Sequence, residues 1–356
     1  MKTITNYLKD YGKYTFLDKE FNEVDNVVLS LLSYVNFTDI VPEFGNGSIT
    51  LKEATKKFHK KYSKKVINSQ IISIRAVCKI LKDIASTKRF GNLELLNYEY
   101  YVSYDVQFGA LCIKLPNRNM YISFEGTDGY VSGWEEDFML SYKFPTKAQE
   151  LAIEYLNKVV RIFGPRVYVG GHSKGGNLAL VASMYCKRYV YHRIRAVFNN
   201  DGPGLRTNEY ESERYLKLTK KYLHIVPEDS FFGRLLENDD DFIIVKSSKK
   251  GMFQHNAISW AVDGNSFKRG NFSKFSERAI TSFNAWLNKI NDAKREEFSK
   301  VLFGVLRDAG VTDLVEVKKS VFSNISKILK QSKKISKTDK ELLSTTLKDL
   351  YSEWKG

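Results

Sequence analysis

Five consecutive residues, Gly171-His172-Ser173-Lys174-Gly175, have the types and spacing of a nucleophile held on a sharp turn. A serine hydroxyl attacks carbonyl carbon poorly until a base removes its proton and an acid holds that base in place. Of the five histidines, His59 lies among lysines and reads as an exposed surface residue. His172 adjoins the serine and should point away from its Oγ. His192 falls in a basic segment, and His224 alternates with Leu223 and Ile225 inside a strand. His255 alone sits in a loop beyond the last predicted strand and is the candidate base. The acid has two main candidates: Asp201, after the first strand beyond the serine, and Asp229, after the second, with Glu228 beside it. The order Ser, Asp, His along the chain and the usual placement after the second strand favour Asp229. Asp201 lies in Asn199-Asn200-Asp201-Gly202-Pro203-Gly204, where an aspartate can simply stabilise a turn. An oxyanion would need two donors. The N–H of Lys174 and Thr127, through its N–H or its hydroxyl, are the candidates.

These residues need a strand and a helix on either side of the serine. Arg166-Val167-Tyr168-Val169-Gly170 reads as the strand and Gly176-Asn177-Leu178-Ala179-Leu180-Val181-Ala182 as the helix. Around them, strand and helix patterns alternate. Tyr98 to Leu115 reads as a hairpin, Met120 to Phe124 as a strand, and Thr146 to Phe163 as a helix. Further strands are expected at Ile194–Phe198, Tyr222–Val226 and Phe242–Val245, with a helix near 208–219. The pattern predicts an α/β fold: a mostly parallel sheet with helices on both faces and the site at the strands' carboxyl ends. Residues 1–97 read as a mainly helical N-terminal segment, 98–270 as the core and 271–356 as a helical C-terminal extension. In the first segment, Val24, Val28, Leu31, Leu32 and Val35 share a helical face and Thr50 to Glu53 forms a capping box. In the last, stripes run through Phe275, Ala279, Phe283, Trp286, Leu287 and Ile290, through Val317 to Leu329, and through Leu343, Leu347, Leu350 and Trp354. The Lys/Ser-rich stretch 330–338 is the best internal linker.

The chain of 356 residues carries a formal charge of +15. Basic residues outnumber acidic ones by 16 to 10 in residues 1–97, by 23 to 20 in 98–270 and by 17 to 11 in 271–356, so the excess lies mainly in the flanks. Such flanks fit a solvated surface or peripheral contact with an anionic membrane. No nucleic-acid module accompanies them, and no nucleic-acid partner is expected. Cys78, Cys112 and Cys186 lie far apart, with no spacing for a disulfide framework or zinc site. No signal-peptide pattern and no apolar run of membrane-spanning length is seen, so a cytoplasmic setting is expected, with no metal or cofactor.

Two blocks carry a resemblance. Ile122-Ser123-Phe124-Glu125-Gly126-Thr127 followed by Trp134 and Asp137 resembles the oxyanion block of class 3 lipases, as Gly171 to Ala179 resembles their nucleophile elbow. More closely, residues 20–265 resemble the bacterial domain-of-unknown-function 2974 family of the α/β-hydrolase superfamily. The shared features are the Gly-His-Ser-Lys-Gly-Gly-Asn elbow, the segment Asn22 to Tyr34, the Asn-Asp-Gly-Pro-Gly turn, and Gln254 to Trp260. The resemblance implies an α/β-hydrolase fold with Ser173, Asp229 and His255 as triad, and no particular substrate. Glu125 stands where class 3 lipases often carry arginine. The expectation is a serine hydrolase acting on a small-molecule or lipid acyl ester or thioester. The alternative is a non-catalytic binding or scaffold module on the same fold.

Overall fold

The computed structural model describes residues 1–70, 72–103, 106–127, 131–239, 241–308 and 336–355. Eight strands form one sheet in the order of the chain: β1 (Ile49–Thr50), β2 (Glu94–Val102), β3 (Gln107–Leu115), β4 (Asn119–Phe124), β5 (Arg166–His172), β6 (Ile194–Asn200), β7 (Tyr222–Pro227) and β8 (Phe242–Val245). β1 to β4 pair antiparallel and β4 to β8 pair parallel, which gives the α/β-hydrolase-like sheet. The expected core boundary at residue 98 falls inside β2, and β1 comes from the N-terminal segment.

Sequential strand order has a physical consequence. Right-handed crossovers that always step in one direction keep their helices on one face of the sheet. On that face lie the helices Lys147–Val159 and Lys174–Tyr185, packed on Cys112, Ile122, Val167, Val169 and Val197. The opposite face cannot be covered by crossovers. It is covered by the N-terminal segment, through α1 (Ile4–Tyr11), α2 (Glu23–Leu31), α3 (Leu51–Lys61), α4 (Lys64–Ser69) and α5 (Ile72–Ser86). Strand alternation serves both layers: Leu111, Ile113 and Tyr121 face the N-terminal helices, while Ala110, Cys112 and Ile122 face the crossovers. The remaining helices are α6 (Val131–Met139), α7 (Lys147–Val159), α8 (Lys174–Tyr185), α9 (Arg188–Arg193), α10 (Thr207–Tyr210), α11 (Glu213–Leu218), α12 (Lys274–Asn288), α13 (Asp292–Asp308) and α14 (Lys337–Lys355).

α2 starts where the expected face begins, capped by Asn22, whose side chain accepts from the Val24 and Asp25 amides. α3 opens with the Thr50–Glu53 capping box. Asp25 and Arg89 form an ion pair with no exposed surface on either side chain, at 2.5 Å. Tyr7 Oη donates to Asp25 Oδ1 at 2.8 Å, and Arg89 reaches the carbonyls of Thr15, Lys19 and Glu20. The pair therefore fixes the loop between α1 and α2.

In the C-terminal extension, Ala279, Trp286 and Leu287 of α12 are buried, whereas Phe275 is 37% exposed and departs from the expected packing stripe. The stripe Val317 to Leu329 and most of the linker 330–338 lie outside the described residues, as do Asp128, Gly129 and Asp240. His59 is half-buried, not exposed, because Phe58 and the start of the α3–α5 packing shelter it. No helix among the described residues is long and apolar enough to cross a membrane.

Arg89→Met would leave the Asp25 carboxylate buried without its partner. The expected loss is about 3–5 kcal/mol, read as a fall in the urea midpoint with an unchanged slope.

Candidate active site

Ser173 stands between β5 and α8 with φ 58° and ψ −133°. A non-glycine residue holds such a conformation at a cost on the order of 1–3 kcal/mol, and only where its surroundings fix it. Two main-chain bonds do so: Ser173 N donates to Asn200 O at 2.9 Å, and Gly176 N donates to Ser173 O at 2.8 Å. The approach of strand and helix also requires bare backbone. A Cβ on Gly171 would stand 2.3 Å from the Gly175 carbonyl, and one on Gly175 would stand 2.2 Å from Phe124 O.

His255 ends the short 3-10 turn Gly251–His255, and its Nε2 lies 3.0 Å from Ser173 Oγ. Its Nδ1 lies 2.7 Å from Asp201 Oδ2. The acid in contact with His255 is thus Asp201, a correction to the expectation of Asp229. Asp201 follows β6, the strand beside the elbow strand, and φ 54° swings its carboxylate back toward the serine. Its second oxygen accepts from Ser230 Oγ at 2.5 Å and Gly233 N at 3.2 Å, so the carboxylate is fully engaged. Asp229 is turned elsewhere. Its Oδ2 accepts from Gly251 N at 2.6 Å and Gln254 Nε2 at 2.7 Å, bracing the turn that carries His255. Glu228 has its carboxyl near Gly270.

The Asn-Asp-Gly-Pro-Gly turn is itself bolted in place. Asn200 Nδ2 donates to Gly171 O at 2.9 Å and to Ser30 Oγ at 3.2 Å, while Asn26 Nδ2 donates to Asn200 Oδ1 at 2.8 Å. Tyr121 Oη donates to Asn26 Oδ1 at 2.6 Å. Asn177, held by Gln149, donates to Gly204 O at 2.7 Å.

His172, expected to point away from the serine, does so into a second relay. Its Nε2 lies 2.7 Å from His255 O, a pure acceptor, so this nitrogen carries the proton. Burial pushes its pKa well below the usual histidine range, which keeps the ring neutral. Nδ1 is therefore an acceptor, and Tyr34 Oη, 2.9 Å away, donates to it. A tyrosine just past α2 thereby orients a histidine of the elbow strand, which holds the main chain of His255.

On the other side of Ser173, Thr127 Oγ1 donates to Asp137 Oδ2 at 2.7 Å. The threonine hydroxyl is committed to this bond, which leaves its main-chain N–H as the group Thr127 can offer an oxyanion. Lys174 begins α8, and its side chain is buried. Nζ reaches Glu136 Oε2 at 2.6 Å, Gln107 O at 2.9 Å and Gln107 Oε1 at 3.0 Å. Gln107 Nε2 donates to Gly126 O at 3.2 Å. The lysine thus ties the elbow helix to α6 and to the loop that carries Thr127. Burial pushes the Asp137 carboxyl up to about 6, against the downward pull of Lys174 and of the Thr127 hydroxyl.

Ser173 and Asp137 open on a cavity of about 190 Å³ that is otherwise largely apolar, walled by Trp134, Phe138, Phe231 and Phe232. Phe283 and Leu287 of α12 and Phe303 of α13 close it, so the C-terminal extension builds part of the wall. Phe232 packs on the His255 ring with centroids 4.4 Å apart. Among the described residues no group of histidine, cysteine or acidic side chains is placed to hold a metal.

Ser173, His255, Lys174 and Thr127, expected here from the sequence, are brought together by the fold. Tyr34, His172, Asn26, Gln107 and Glu136 are supporting groups that the sequence patterns do not single out. The shared segment Asn22 to Tyr34 was the available signal for two of them.

A serine on a strand–turn–helix elbow, with a histidine and an aspartate lined up behind it on a mostly parallel sheet, is an α/β-hydrolase-like arrangement. The chain belongs to the Mbeg1-like family, whose model matches residues 84–304. A search of solved structures finds similarity to M37 lipase, with 16% identity and a TM-score of 0.34. That match spans 57% of this chain and 66% of the lipase chain. No curated protein matches the chain. Tyr34 and Asn26 precede the family match.

Asp137 makes stability depend on pH. Its folded-state pKa is raised, so its contribution is fully present below about pH 4 and is lost as pH rises through about 6. Asp137→Asn keeps an acceptor for Thr127 and removes the buried charge. Its melting temperature relative to the parent should rise between pH 4 and pH 7 and level off above, a gain on the order of 3 kcal/mol.

Proposed function

We propose that this protein is a serine hydrolase that cleaves a carboxylic ester or thioester through an acyl-enzyme. The observation that carries the reading is the unbroken line from Asp201 Oδ2 to His255 Nδ1 and from His255 Nε2 to Ser173 Oγ, at 2.7 and 3.0 Å. His255 takes the serine proton as Oγ attacks the carbonyl carbon. Asp201 holds the imidazole in the tautomer that leaves Nε2 free to accept, and stabilises the imidazolium that forms. The tetrahedral oxyanion is received by the N–H groups of Lys174 and Thr127. His255 then returns the proton to the leaving oxygen or sulfur as the carbonyl re-forms, and water repeats the sequence on the acyl-enzyme.

The strained serine supports catalysis over a mere binding role. A capping or structural serine has no need of φ 58°, whereas an attacking Oγ must stand clear of the backbone. The aromatic cavity beside Ser173 suits the acyl chain of a small-molecule or lipid ester. A reducing, cytoplasmic setting belongs to the same reading, since Cys78, Cys112 and Cys186 are all free and buried.

Intact-mass labelling with a fluorophosphonate tests the reading. The parent protein should gain one adduct that Ser173→Ala and His255→Ala both lose while remaining folded. A folded parent without an adduct, or an adduct that survives in Ser173→Ala, would overturn it. Asp201→Asn should slow labelling by about 10⁴-fold, the scale set by losing the correct histidine tautomer. Asp229→Asn, acting only on the turn, should cost about tenfold or less.

A further inference from the structure

The turn that delivers His255 has an outer face the reaction does not use. Met252 and Phe253 are 52% and 70% exposed, adjacent in the chain, and three and two residues from His255. They are not on a slack loop. Gly251 adopts φ 57°, and its N–H is held by Asp229. Gln254, 4% exposed, exchanges two bonds with Asp229, and its carbonyl accepts from Trp260 Nε1 at 2.8 Å. A rigid turn clamped on one side therefore displays two large apolar side chains on the other.

Cations accompany that display. Lys249 and Lys250 immediately precede the turn and are exposed. Lys246 lies beside exposed Lys268, joined by Lys246 N to Lys268 O at 2.9 Å. None of these four lysines is in an ion pair among the described residues, whereas nearby Arg269 and Arg234 are paired with Glu23 and Glu277. Of the nearby acids, Asp229 is committed to the turn and Glu228 packs near Gly270.

We infer that this face, Met252 and Phe253 with Lys249 and Lys250 immediately before them, docks on an anionic phospholipid surface, with Lys246 and Lys268 adding to the local positive charge. Charge complementarity selects the partner: unpaired lysines meet the negative headgroups while the two apolar side chains enter the acyl boundary. The proposal rests on the hydrolase reading only for its purpose, which is to bring the Ser173 cavity to a lipid-borne ester.

Co-sedimentation of the full chain with vesicles tests it. Binding to mixed phosphatidylcholine–phosphatidylglycerol vesicles is expected, with weaker binding to phosphatidylcholine alone and a decline as salt rises. The double change Met252→Ser and Phe253→Ser should lower the partition by about tenfold or more, the scale of removing two apolar groups from a membrane. Lys249→Gln with Lys250→Gln should lower it by about 25-fold on the anionic vesicles, near fivefold for each charge. Both variants should keep the parent's fluorophosphonate labelling rate in buffer, which reports that the site is intact. Equal binding to neutral vesicles, no binding by the parent, or binding indifferent to both double changes would overturn the inference. A parent protein that binds the anionic vesicles yet takes no fluorophosphonate label would instead sink the hydrolase reading and leave this one standing.

Discussion

The strained backbone of Ser173 persists because its flanks cannot relax, and the bonds that deny relaxation converge on Asn200. Its carbonyl accepts the Ser173 amide, and its side chain donates to Gly171 O on the strand entering the elbow. Its amide oxygen is in turn held by Asn26 of α2. A buried polar group left without a partner costs more than the bond itself contributes, so such a network holds only as a whole. This explains why the N-terminal helices are more than a cover for the second face of the sheet. They supply Asn26, Ser30 and Tyr34, three of the groups that fix the elbow and, through His172, the histidine turn.

The site divides by polarity. Behind Ser173 and His255 lies a dense scaffold of buried side chains, including the Lys174–Glu136 pair and the Thr127–Asp137 bond. In front lies an aromatic cavity with little to solvate a charge. In such surroundings fixed donors act more strongly on a developing oxyanion than they would in water. The C-terminal helices matter for the same reason, since Phe283, Leu287 and Phe303 complete the cavity wall.

Much of this was readable from the chain alone because it is local. The elbow is a strand, five residues and a helix in succession, and the alternation of strands and helices carries the fold class. The choice of acid was not local. Asp201 and Asp229 both follow strands, and what separates them is φ 54° at Asp201 and the donors Ser230 and Gly233, brought together by tertiary packing. The turn chemistry that made Asp201 look structural is what aims its carboxylate. Tyr34 and His172, 138 residues apart, meet only through the layering of α2 on β5, which no periodicity announces. Phe275 fits the helical stripe by spacing yet is 37% exposed, because it lies in the first turn of α12, two turns ahead of Phe283 at the cavity.

The central claim is that Asp201, and not Asp229, is the acid bonded to His255. Proton NMR at low temperature reads that bond directly, through the far-downfield signal of an imidazole Nδ1–H held by a carboxylate. The signal should be present in the parent protein, vanish in Asp201→Asn and persist in Asp229→Asn. A signal that survives in Asp201→Asn and disappears in Asp229→Asn would contradict the account.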